Sequence, residues 1–192
     1  MARAYVAAHP SQHSSLRWLG RNLPHHLATH PIPGQPFAAD MAHFDWAVAL
    51  AFDARDEVPA TMADMLALPA AAWDSFRLLF TEAVSDFRAD AGIADLRRAV
   101  LRAVDLPQIG AGGEQRWVVW RQDEDVQYRP LAEDEAAALD LMRNNGRFGA
   151  MCRLLAEQFG NPDAALRSAQ ILKDWLDRGL VAAIDHDAAA SS

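Results

Sequence analysis

Apolar residues in the first hundred positions recur mostly at helical spacing, and beyond position 115 the pattern turns strand-like before three more helical stretches. The run from Phe37 to Asp56, FAADMAHFDWAVALAFDARD, predicts a long helix with an aromatic and aliphatic face. Ahead of it, Ser14 and Ser15 can cap a helix through Leu16, Trp18, Leu19 and Leu23. Behind it, Thr61 can cap a short helix holding Met62, Met65 and Leu66. A further helix is expected from Ile93 to Val104. Phe76 to Phe80, FRLLF, fits a short buried strand or a helical turn, because so few residues carry no decisive period. Trp117 to Arg121 (WVVWR) and Val126 to Arg129 (VQYR) are rich in β-formers around polar QDED, which predicts a hairpin. Helices are then expected over Glu133 to Arg143, Phe148 to Phe159 and Asp163 to Arg178, followed by a strand over Leu180 to Ile184.

Proline and glycine interrupt this pattern at PIPGQP, 31–36, and DLPQIGAGG, 105–113. The second interruption reads as a linker, which divides the chain into a helical domain over 1–104, a connection over 105–115, a second domain over 116–187 and a frayed tail over 188–192. A hairpin, three short helices and a terminal strand suggest a winged helix. The expected fold class is therefore mainly α, with a helical N-terminal domain followed by a small α+β winged-helix-like C-terminal domain.

Composition narrows the function classes. A chain of 192 residues, half of them hydrophobic, can bury one or two modest cores. Its formal charge of -8 argues against a broad electrostatic footprint for nucleic acid or anionic lipid, leaving only a local basic patch for such a role. A single cysteine, Cys152, removes disulfide frameworks and cysteine zinc sites and fits a reducing cytoplasm. No segment has the apolar length of a bilayer span.

Candidate chemistry is sparse. His9, His13, His25, His26 and His30 crowd the N-terminal stretch, and His9 with His13 stand one helical turn apart. No acidic or cysteine ligand accompanies them in a metal pattern, so no metal and no cofactor are expected. Asp40, His43, Asp45, Asp53 and Asp56 lie along the long helix. Paired carboxylates can do acid–base work, but a helix start, solvent and Arg55 account for them more simply. The GAGG segment, 110–113, lacks the lysine and helix of a phosphate cradle, and no serine sits in a nucleophile elbow. A DNA-reading helix needs positive charge, yet over 163–178 Arg167, Lys173 and Arg178 are balanced by Asp163, Asp174 and Asp177. A regulator would have to assemble its basic face from Arg143, Arg147, Arg153 and Arg167. In the hairpin, Trp117 and Val119 share one face while Val118 and Trp120 share the other. Both faces are apolar, so the first domain or a partner must cover one.

Several segments, kept in order, carry a family resemblance: AYVAAHPSQHSSLRWLG at 4–20, LPHHLATHP at 23–31, ADMAHFDWAVALAFDA at 39–54, WVVWRQDEDVQYRPLAEDEAAAL from 117, and WLDRGL at 175–180. Together they resemble the HvfC/BufC family, named for a DNA-binding domain and similar to the methanobactin partner subunit MbnC. The likeness spans nearly the whole chain, but members usually carry further helices ahead of the segment that begins here at Met1. The resemblance implies a non-catalytic partner of an iron-dependent oxygenase that modifies cysteines in ribosomally made peptides of the bufferin or methanobactin kind. The second domain would present the precursor peptide at a sheet edge. From what such docking requires, rather than from matched sites, Trp117, Val119, Arg121, Val126 and Tyr128 are the candidate peptide contacts. Trp18, Asp45, Trp46 and Trp73 are the candidate enzyme contacts.

Overall fold

The computed structural model describes residues 2–11, 15–110, 112–160 and 162–186, with the side chain of Leu16 excepted. Helix α1 (Ala2–Ala8) is followed by a 3₁₀ turn (Leu16–Asn22) that runs into α2 (Leu23–Thr29). Ser15 caps the 3₁₀ turn, whereas Ser14 and His13 lie outside the described residues. The long helix is α3 (Ala38–Asp53), and α4 (Met62–Leu66) is closed by a capping box in which Thr61 and Asp64 satisfy each other's backbone N–H groups.

The N-terminal half is not a helical domain. It contributes strands β1 (Arg77–Phe80) and β2 (Ser85–Asp90) before α5 (Ile93–Arg102), so the chain is a mixed α/β protein. The hairpin is formed by β3 (Glu114–Gln122) and β4 (Asp125–Pro130). Helices α6 (Glu133–Arg143), α7 (Phe148–Phe159) and α8 (Ala164–Asp177) then lead to β5 (Val181–Asp185). Strand order is β2-β3-β4 in one antiparallel sheet and β1-β5 in the other. Both sheets therefore join residues from the two sides of the 105–115 segment. The terminal strand pairs with β1 rather than with the hairpin, so the C-terminal residues do not close a winged-helix sheet of their own. Sequence SDFRAD in β2 has little intrinsic strand preference. Pairing with β3, in a register that sets Phe87 opposite Trp117, overrides that preference.

Strand β3 organises the interior because both of its faces are buried. Trp117 and Val119 join Phe44, Ala47, Phe87 and Ile93 in a core roofed by α3 and α5. Val118 and Trp120 point the other way, into a larger core built from Phe76, Leu139, Met151, Ile171 and Trp175. This is why WVVW reads as a continuous apolar run instead of an alternating one. The larger core also fixes how α7 begins. The N–H groups of Phe148 and Gly149 donate to the carbonyls of Phe76 and Asp74, each at 3.0 Å. A Cβ on Gly149 would stand 1.8 Å from a carboxylate oxygen of Asp74, so a side chain here must displace that carboxylate.

Candidate functional site

The residues proposed to contact peptide divide into buried ones and edge ones. Trp117 and Val119 are 5 % and 0 % exposed beneath α3, so neither offers a surface for a ligand. Arg121 is occupied as a clamp. It donates to the carbonyls of Phe52 (2.9 Å) and Arg55 (3.0 Å) and pairs with Asp56 (2.7 Å), which ties the hairpin to the end of α3. Val126 and Tyr128 pack their side chains on the α3 core, with Tyr128 edge-on to Phe44 at 4.7 Å between ring centres.

Their backbone is placed differently. Leu131 N–H donates to the Arg116 carbonyl at 2.8 Å, which fixes the phase of the β3–β4 ladder. In an antiparallel pair the inward and outward groups alternate, so the N–H and C=O groups of Val126 and Tyr128 turn away from β3. Among the described residues no strand pairs with this side of β4. Pro130 ends the edge, having no donor of its own and accepting Arg129 at its carbonyl at 3.1 Å. The opposite edge of the sheet is partly closed, since Asp90 N–H on β2 is taken by the Asp40 carboxylate at 3.1 Å. Strand β4 is thus the more open edge.

The residues proposed to dock an enzyme fall in two places. Trp18 and Trp46 meet edge-to-face at 5.9 Å, with the Arg17 guanidinium 4.9 Å above the Trp18 ring. Asp45 lies exposed nearby on α3, held by Arg97 at 2.8 Å. Trp46, His43, His25 and Arg21 border an open groove of about 500 Å³ between α2 and α3. Trp73 belongs to the other half of the molecule, packing on Phe76 at 6.4 Å and 36 % exposed.

Each carboxylate of the acidic series has a partner, and Asp56 lies beyond the end of α3 rather than on the helix. Asp53 pairs with Arg17 at 3.1 Å, Asp45 with Arg97, Asp56 with Arg121, and Asp40 holds the Asp90 amide. Burial pushes the His43 imidazole below its usual value against the opposing pull of Asp40 and Asp86. The histidines assemble in a combination the one-turn spacing did not show. His26 stacks on His30 at 4.6 Å and meets His9 at 5.5 Å, and Tyr5 contacts both His9 and His26. Among the described residues no three His, Cys, Asp or Glu side chains converge as metal ligands.

Two of the four arginines of a DNA-reading face are engaged with carboxylates. Arg143 pairs with Asp86 and donates to the Val84 carbonyl at 2.9 Å. Arg167 is held by both oxygens of Asp134, and that contact lowers the Asp134 carboxyl below its usual range. Arg153 is exposed on α7, and Arg147, also exposed, precedes that helix. Two arginines that sequence reasoning missed carry the strongest networks. Arg116 bridges Asp86 and both oxygens of Asp140. Arg129 joins Glu135 to Asp174, while Trp175 Nε1 donates to Glu135 at 2.8 Å. No family model matches the chain, and no curated protein matches its sequence. Among the described residues no helix is long and apolar enough to cross a membrane.

Proposed function

We propose that this chain is a non-catalytic binding protein that holds an extended peptide along the outer edge of β4. The observation that carries the reading is the pair of outward-facing backbone positions at Val126 and Tyr128, on an edge strand that no other strand pairs with among the described residues. An edge of this kind can recruit an extended partner through main-chain hydrogen bonds. The resemblance described above supplies the context: a precursor peptide presented to an iron-dependent, cysteine-modifying oxygenase in the cytoplasm. The paired Trp18 and Trp46, with Asp45 beside them, form the aromatic surface best suited to that enzyme. The ion pairs of Asp45, Asp53 and Asp56 and the amide bond at Asp40 favour this reading over a hydrolytic one. The commitment of Arg143 and Arg167 to carboxylates disfavours the DNA regulator.

Val126→Pro tests the edge, because it removes an outward donor without touching the β3 ladder. The expected result is a folded protein that no longer captures the precursor peptide when co-expressed with it. Retained capture by the folded variant would overturn the proposed edge.

A further inference from the structure

The two sides of strand β4 differ in character, and the difference selects a side-chain pattern in whatever pairs with it. Consecutive strand residues project to opposite faces, so Val126 and Tyr128 stand on the α3 side of the sheet, and Gln127 and Arg129 on the α8 side. We infer, on the reading that β4 takes an extended peptide, that the edge selects a segment with apolar residues at alternate positions. Those residues lie against the row of α3 side chains that ends at Phe52, and a polar residue between them faces α8.

The α3 side is an apolar row that continues into solvent. Phe44, Val48 and Phe52 follow one another at four-residue steps, which puts them in line along the helix. Phe44 meets Tyr128, and Val48 packs on the same core. Phe52 comes last, where its carbonyl accepts from Arg121, the residue opposite Val126. Its side chain is 62 % exposed, although Phe44 in the same row is 0 % exposed. Val126 and Tyr128 are themselves only half-buried. A strand paired beyond β4 sets one side chain beside each of them on the same face, about 4.5–5.5 Å away between Cβ atoms, whether it runs parallel or antiparallel. Apolar side chains at those two places cover surface that the fold leaves open.

The α8 side requires the opposite. Gln127 is exposed, and Arg129 is held by Glu135 and Asp174. Arg178 also pairs with Asp174, and its guanidinium lies 5.6 Å above the ring of Trp120, the residue opposite Gln127. Two cations and two carboxylates balance there, so this side attracts neither sign of charge. An apolar side chain set against them would desolvate ion pairs without compensation, whereas a small hydroxyl residue leaves them bonded.

The test adds two blocked peptides to the ¹⁵N-labelled full chain and follows its amide resonances. One peptide alternates threonine and valine over eight residues. The other arranges the same residues in pairs, so that no two valines stand two positions apart. Both should shift the Val126 and Tyr128 amides, the alternating peptide binding about fivefold tighter, the order of one apolar cross-strand contact. Phe52→Ser should abolish most of that preference and leave the melting temperature nearly unchanged, because the ring is exposed. Equal affinities, with both amides still shifting, would overturn the side-chain selection and leave the edge in place. No shift at either amide with either peptide would overturn the edge itself. An undiminished preference in Phe52→Ser would overturn the part given to the α3 row.

Discussion

The two ends of this molecule are held by different means. From Arg116 onward, helices α6 to α8 enclose the larger core, and arginine–carboxylate networks cross between elements at Asp86, Asp134, Asp140 and Asp174. The stretch from α1 through α2 has short helices, a stack of histidine rings and a hydrogen bond from the Tyr5 hydroxyl to the Leu19 carbonyl. Among its described residues the buried side chains are Tyr5, His26 and Leu27. Local opening is governed by how much apolar surface and how many bonds must be released together. The C-terminal region should therefore open only with the whole fold, while the N-terminal helices open separately. Strand β3 is the element that couples the two cores.

The most severe break in this comparison comes from emptying either side of β3. Trp117→Ala and Trp120→Ala should each cost about 3–5 kcal/mol, because both indoles are almost fully buried. Urea denaturation followed by circular dichroism should show one transition in each variant. Two separated transitions in Trp117→Ala would mean that the α3 core melts without the larger one and that β3 does not couple them. A smaller loss, about 1–3 kcal/mol, is expected for Gly149→Ala, whose methyl must displace the Asp74 carboxylate at the start of α7. Pairing it with Asp74→Ala should recover much of that loss. Failure to recover would locate the strain elsewhere.

What could be read from the chain follows the same division. The C-terminal helices and the hairpin have strong local signals, and α6, α7 and α8 fall within a residue or two of the positions their periodicity indicates. Strand β2 has no such signal. Its Ser, Asp and Arg residues make a strand only through pairing with β3, across the intervening helix and a segment rich in glycine. That segment therefore looked like a domain linker, although Ile109 packs against Gly92 and Ala91 N–H bonds Gly113. The apolar run in β3 revealed that both faces needed cover, and α3 supplies the cover on one side. Strand parity also showed which hairpin residues share a face. It could not show that Val126 and Tyr128 offer backbone rather than side chains, because that depends on which side β3 occupies. Nor did the sequence show that Arg143 and Arg167 would pair with carboxylates distant along the chain.

The smallest expected effect would sharpen the contrast at its weak end. Burial lowers the His26 imidazole from its ordinary value, and the neighbouring His30, His9 and His25 lower it further. An unfolded histidine titrates near about 6.5. Because the folded chain takes up this proton less readily than the unfolded chain, the contribution of neutral His26 is complete above that pH. It is lost progressively as pH falls toward the lowered folded value. His43, shifted in the same direction on α3, adds a loss of the same sign that belongs to the sheet core. His26→Phe keeps a ring against Tyr5 and His30 but cannot charge. Amide exchange in α1 and α2 should accelerate between pH 7 and pH 5.5 in the unaltered protein and change much less in the variant, while α6 to α8 stay protected in both. Equal acceleration in the C-terminal helices would show that the two ends open together, and the contrast drawn from their packing would not hold.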